Sequence, residues 1–96
     1  MSISLEYAQK RERAYTAIGN ELHYQEARAK RDNWDHKNVP SVEGEILMIE
    51  EYVAKARAAY TNNAGNEQAL HELRKVAAMC VRAMINHGAY EREGFI

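Results

Sequence analysis

The third apolar segment of the chain decides the fold, and residues 67–87 read EQALHELRKVAAMCVRAMINH. Six apolar or small side chains recur in it every three or four residues, which is the period of one face of an α-helix. They are Leu70, Leu73, Ala77, Cys80, Val81 and Met84. Val76, Met79 and Ile85 widen the apolar surface beyond one face, and a helix that is apolar on several sides must be covered on several sides. Gly88 fits the position that ends this helix.

Two earlier segments show the same helical period. The stripe of residues 4–31 consists of Ala8, Tyr15, Ile18, Leu22 and Ala29. The stripe of residues 42–60 consists of Ile46, Ile49, Val53, Ala56 and Tyr60, after a capping Ser41. Gly19-Asn20 can kink the first helix or split it in two, because glycine weakens a helix interior. Residues 32–41 and 61–66 predict loops, and residues 89–96 predict a short tail.

Length and composition restrict what such a chain can be. Its 96 residues predict one all-α domain, 1–96, and a domain this small gains stability from oligomerisation. We therefore expect a small bundle of three main helices completed by a homo-oligomer, a dimer or higher. The part of the surface around Val76, Met79, Val81 and Ile85 is assigned to a partner copy.

Cysteine content and net charge indicate in which compartment the protein works and which partners it does not bind. A lone Cys80, expected to be a small core residue, fits a reducing compartment and predicts a cytoplasmic protein. There is no apolar signal segment at the start and no stretch long enough to span a membrane. A net charge of −1 argues against a dedicated nucleic-acid-binding protein, which usually carries a basic excess.

Carboxylates on the second and third helices are candidate metal ligands. If the two helices pack antiparallel, Glu45, Glu50 and Glu51 could converge with Glu72 on Mg²⁺, which prefers oxygen ligands. The alternative is local surface pairing, in which Glu72 pairs with Lys75 three residues later. The 32–41 loop holds Trp34, His36 and Lys37, which either stack on a nucleotide base or cap the end of the bundle.

Two stretches resemble a known family: SVEGEILMIEEYV at 41–53 and ALHELRKVAAMCVRAM at 69–84. They look like the small MazG-like proteins of phages and prophages, which are relatives of the all-α nucleoside triphosphate pyrophosphohydrolases. The resemblance covers roughly residues 25–88. It implies a dimeric or tetrameric helical bundle with a nucleotide site between helices and often between subunits. Active members hold Mg²⁺ with E-E-x-x-E on one helix and E-x-x-D on a later one.

This chain departs from that metal-binding pattern at two of its positions. Glu50 and Glu51 match the opening pair, but Ala54 replaces the third carboxylate. Glu72 matches the later glutamate, but Lys75 replaces the aspartate. A lysine ammonium has no lone pair to offer a metal, although it can pair with a phosphate. The resemblance therefore implies the scaffold more than the reaction.

Three functions are compatible with this sequence. The leading hypothesis is a phage-type accessory protein that binds or sequesters a nucleotide or a similar phosphate-bearing ligand without turning it over. Its predicted ligand-binding residues are Trp34, His36, Lys37, Arg74 and Lys75. The first alternative is an active Mg²⁺-dependent pyrophosphohydrolase that uses Glu45, Glu50, Glu51 and Glu72 in a different register, with Glu50, Glu51 and Glu72 as the metal ligands if Mg²⁺ is bound. The second alternative is a phage protein that binds and inhibits a host protein.

Overall fold

A computed structural model of the chain describes residues 4–31, 39–62 and 65–94. Three helices account for most of this part: α1, Leu5–Arg31; α2, Val42–Thr61; and α3, Gly65–His87. The described residues contain no strand, which confirms the predicted all-α bundle. Each helix begins and ends within two residues of its predicted bounds. Because α1 runs continuously through Gly19, the alternative of two separate helices is wrong.

Two capping serines and one glycine fix the ends of the helices. The Ser4 hydroxyl accepts a hydrogen bond from the Tyr7 N–H at 3.1 Å, and Ser41 caps α2 through the Gly44 N–H at 3.1 Å. Gly88 follows α3 with a φ of 125°, which is unfavourable for a residue with a Cβ. Its N–H donates to the Met84 carbonyl at 2.8 Å, so Gly88 ends α3 as predicted.

Helix α3 lies at the centre of the fold. It packs against α2 and α1, whereas α1 and α2 do not contact each other within the described ranges. The pairing of α2 with α3 is antiparallel, because Asn86 near the end of α3 contacts Glu45 near the start of α2. Ala78 of α3 is completely buried and Ala56 of α2 is 6% exposed. Small side chains therefore occupy the places where the helices meet.

The resulting molecule is flat and open. Its extents are 44 × 41 × 24 Å, and its radius of gyration is 15.6 Å, against about 12.5 Å for a compact chain of this length. No large side chain of the described residues is fully buried. The buried positions include two carboxylates, Glu21 and Glu45, at 9% and 7% exposure. No helix in the described part is long and apolar enough to cross a membrane.

The contact face of α2 differs from the predicted stripe. Glu45 and Ala56 mark the buried side, while Ile46, Val53 and Tyr60 are 45–63% exposed. At 100° per residue, the side that contacts α3 is turned by roughly 50–60° from the middle of the stripe. The expectation that the whole stripe points inward is therefore wrong. The reason is that α2 meets α3 through the small Ala56 and through Glu45, which finds polar partners on α3.

On α3 the exposed apolar surface is also not where it was expected. Val76, Met79 and Val81 are half-buried within one chain, and Ile85 alone of the four predicted partner contacts is largely exposed, at 63%. The exposed positions are instead Leu70, Leu73 and Met84, at 45–62%. Cys80 is half-buried, close to its expected place in the core. Since α3 is flanked on two sides only, its third side remains open.

Candidate functional site

Arg74 connects α3 to α1 through a partly buried ion pair. Its Nε lies 3.1 Å from Glu21 Oε1, and the Glu21 side chain is only 9% exposed. Its Nη1 lies 2.7 Å from His71 Nδ1. Because a guanidinium only donates hydrogen bonds, His71 Nδ1 must be the acceptor in this contact. The other ring nitrogen of His71 faces the Glu67 carboxylate at 3.8 Å. Arg74 is thereby held in a fixed orientation.

Gln25 extends this polar contact between α1 and α3. Its Nε2 donates to Glu21 Oε2 at 3.1 Å and to the main-chain carbonyl of Lys75 at 3.3 Å. Its Oε1 is buried without a hydrogen-bond partner in the described structure. A buried carboxylate is costly unless its oxygens are satisfied, and both Glu21 oxygens are satisfied here. The Glu21–Gln25–Arg74 group therefore positions α1 against α3.

Lys75 points away from Arg74 although the two are adjacent in sequence. Its Nζ lies 3.1 Å from Glu72 Oε1 on the same helix, which confirms the predicted local pairing. Consecutive helical residues are turned by about 100°, so two neighbouring cations reach different surroundings. The structure therefore does not bring the two predicted phosphate-binding residues into one site. Trp34, His36 and Lys37, the other predicted ligand-binding residues, lie outside the described residues.

An open pocket of about 300 Å³ lies beside Arg74. It is lined by Ala17, Asn20, Glu21, Tyr24 and Arg74. The Tyr24 residue is 57% exposed, so an aromatic ring and a guanidinium face the same opening. A guanidinium binds phosphate or carboxylate through paired N–H donors, and an aromatic ring can stack on a base. Asn20, Glu21 and Tyr24 were not among the residues predicted to bind a ligand. The available signal was Glu21 itself, a carboxylate directly beside Leu22 of the apolar stripe.

Within the described residues of one chain, the predicted metal ligands Glu50, Glu51 and Glu72 are not brought into a common site. Glu50 and Glu51 are exposed on α2, whereas the Glu72 side chain is 13% exposed and pairs with Lys75. The described residues contain no group of three His, Cys, Asp or Glu side chains that could hold a metal ion. The donor set of one chain, with an ammonium on Glu72, does not fit Mg²⁺. Glu72 Oε2 is buried there without a hydrogen bond.

A second buried carboxylate, Glu45, joins the start of α2 to the end of α3. Its Oε1 accepts from Asn86 Nδ2 at 3.0 Å, and its Oε2 lies 2.8 Å from His87 Nε2. The same His87 nitrogen lies 3.0 Å from the Pro40 carbonyl oxygen. Since both neighbours of Nε2 are acceptors, this nitrogen must carry a proton. His87 Nε2 is hydrogen-bonded to the Pro40 carbonyl, whereas Glu45 Oε2 has no hydrogen-bond partner, so the Glu45 oxygen is a close electrostatic neighbour of this nitrogen.

The two buried carboxylates therefore have different surroundings. Glu21 borders an open pocket, whereas Glu45 is held against the Pro40 segment and the last turn of α3. Of the two buried carboxylates, Glu21 is the one that borders an opening together with a cation and an aromatic ring, and we take its surroundings as the candidate site.

Comparison with protein-family models, with curated proteins and with solved structures found no match for this chain.

Proposed function

We propose that the protein binds a phosphate-bearing, nucleotide-like ligand in the pocket between α1 and α3 and does not turn it over. The observation that supports this most is the position of Arg74, a cation beside Tyr24 at the edge of an opening of about 300 Å³. That volume is at the lower end of the usual range for small-molecule sites. The function is an accessory one, sequestration or sensing, as the resemblance to small MazG-like proteins suggests.

Each lining side chain has a role in this proposal. Arg74 grips a phosphate through its guanidinium, and Asn20 supplies amide hydrogen bonds. Tyr24 stacks on the base, because aromatic rings accept any base with modest selectivity. Glu21 opposes a second negative charge in the pocket, which favours a ligand whose phosphate reaches the Nη side of Arg74. The ligand then competes with His71 for Nη1, at 2.7 Å in the described state.

The absence of turnover in this proposal is based on the side chains at the two substituted positions. Ala54 and Lys75 stand where the resemblance requires carboxylates, and Lys75 pairs with Glu72, the remaining carboxylate of its motif. An ammonium 3.1 Å from Glu72 opposes the binding of a cation at that carboxylate. We therefore derive no hydrolytic step, and the active pyrophosphohydrolase remains the less favoured alternative.

A thermal-shift panel tests the proposal directly. The panel contains nucleoside mono-, di- and triphosphates, cyclic nucleotides and inorganic pyrophosphate, each with and without Mg²⁺. A ligand that binds only the folded protein raises the melting temperature in proportion to the logarithm of its concentration over Kd. We expect at least one nucleotide to stabilise the protein without requiring Mg²⁺. No stabilisation by any member of the panel would contradict the proposal.

A further inference from the structure

Two exposed apolar stripes are left uncovered in the single chain. The α2 stripe consists of Val42, Ile46, Val53 and Tyr60, and the α3 stripe consists of Leu70, Leu73 and Met84. All seven residues are 45–63% exposed. Single exposed apolar residues are ordinary on a protein surface, but a continuous row of large ones marks an interaction surface.

Helix geometry places both stripes on the same side of the flat molecule. At 100° per residue, the α2 stripe spans about 40° and is centred roughly 65° past the side that Glu45 and Ala56 present to α3. The α3 stripe spans about 60° and is centred roughly 120° past the middle of the side that Asn86 and His87 present to α2, before the side that Arg74 presents to α1. Both offsets run in the direction of increasing residue number. In antiparallel helices such rotations lead to the same side, so the two stripes form one apolar face.

The surface area of the chain indicates how much covering is missing. The chain exposes 8303 Å², whereas a folded monomer of 11.0 kDa is expected to expose about 5600 Å². The excess is on the order of 2700 Å². Obligate dimers bury roughly 1000–2500 Å² on each subunit. The excess is therefore of the size that a second, equally large partner removes, and it is larger than a short peptide segment would cover.

We infer that the α2–α3 apolar face is a self-association surface, covered in solution by a second copy of this chain. One symmetric contact covers the same face on both copies, because a two-fold interface uses one surface patch twice. Exposed side chains of both charge signs, Glu43, Glu50 and Arg57, follow the outer edge of the α2 stripe. A polar rim around an apolar centre is the usual organisation of a protein interface.

Adjacent residues on α2 provide a matched test. Ile46 belongs to the apolar face, whereas Leu47 is turned about 100° further, to the side opposite α3, and is similarly exposed at 62%. We expect light scattering to give at least 22 kDa for the wild type, twice the 11.0 kDa of one chain. Ile46→Asp should reduce the mass to that of the monomer, since the charge cannot be desolvated in an apolar contact. Leu47→Asp should retain the wild-type mass.

Two outcomes would overturn the inference. A wild-type mass of 11.0 kDa would show that the face is free or reserved for a different protein. An oligomer that Leu47→Asp dissociates as readily as Ile46→Asp would place the interface elsewhere. If Ile46→Asp does not fold, the melting temperature of the wild type decides. It should rise over an about hundredfold range of protein concentration if two copies fold together, and a constant value would contradict self-association.

Discussion

Arg74 of α3 and Glu21 of α1 form an ion pair of 3.1 Å in which the carboxylate is nine-tenths buried. The pair is separated by 53 residues in the sequence, and it lies at the only helix pairing that α1 makes in the described part of the chain. The same two side chains border the proposed ligand pocket. A structural contact and a candidate binding residue are therefore the same group, and experiments on Arg74 must separate its two roles.

Loss of the buried pair should destabilise the fold. Arg74→Ala leaves the Glu21 carboxylate buried without a cation, and breaking such pairs costs about 3–5 kcal/mol when they are fully buried. Because the Arg74 side chain is a third exposed, we expect about 1–3 kcal/mol in the free energy of unfolding. Urea denaturation followed by circular dichroism measures this difference.

Lys10 supplies the matched control, since its Nζ also lies 3.1 Å from a glutamate of α1, Glu6, but at the surface. Lys10→Ala should change the free energy of unfolding by no more than about 0.5 kcal/mol. Equal effects of Lys10→Ala and Arg74→Ala would mean that burial of Glu21 contributes nothing.

The contact between α2 and α3 at the His87 end should also be measurable. His87→Ala removes the group that lies 2.8 Å from Glu45 and 3.0 Å from the Pro40 carbonyl. Glu45 keeps Asn86 as its partner, so we expect a moderate loss of about 1–2 kcal/mol in thermal or urea denaturation. His23→Ala, at an exposed position of α1, is the control and should leave the stability nearly unchanged. A stability loss in both variants, or in neither, would argue against a specific role of His87.

The protein should not hydrolyse common nucleoside triphosphates at an enzyme-like rate. The reason is the pair of substitutions at Ala54 and Lys75, together with the ion pair that Lys75 makes with Glu72. A coupled assay for released pyrophosphate, with and without Mg²⁺, checks this expectation. Mg²⁺-dependent release that disappears in Glu51→Gln or Glu72→Gln would instead support the active pyrophosphohydrolase.

Local patterns predicted the helices well. Ser41 and Gly88 act at helix ends, and the Glu72–Lys75 pair forms between residues three apart. These features depend on neighbours along the chain, so the sequence contains the information needed to place them. The resemblance to MazG-like proteins, the Mg²⁺ ligands and the loop residues Trp34, His36 and Lys37 remain predictions.

Long-range packing was predicted less well. Periodicity does not show which of two overlapping faces of α2 meets α3, and an apolar stripe suits a partner copy as well as a core. The burial of Glu21 and Glu45 was not predicted, because carboxylates are usually solvated. Their partners, Arg74, Asn86 and His87, are 41 or more residues away in sequence. The sequence around such a buried carboxylate does not differ from the sequence around a surface carboxylate, except that apolar residues are adjacent to it.

If the ligand binds in the pocket, substitutions of the neighbouring cations Arg74 and Lys75 should affect binding differently. Arg74→Lys keeps the positive charge near Glu21 but loses the paired donors that grip a phosphate. Lys75→Ala removes a cation that points to Glu72, outside the pocket. The first change should weaken ligand binding and the second should leave it nearly unchanged, provided that both variants retain the wild-type helical content.

Calorimetric titration of the wild type, Arg74→Lys and Lys75→Ala, with the nucleotide that gives the largest thermal shift as the probe, shows whether the ligand binds between α1 and α3. We expect Arg74→Lys to raise Kd by about tenfold or more and Lys75→Ala to change it by less than about twofold. Unchanged affinity in folded Arg74→Lys, or a loss confined to Lys75→Ala, would contradict a ligand site between α1 and α3.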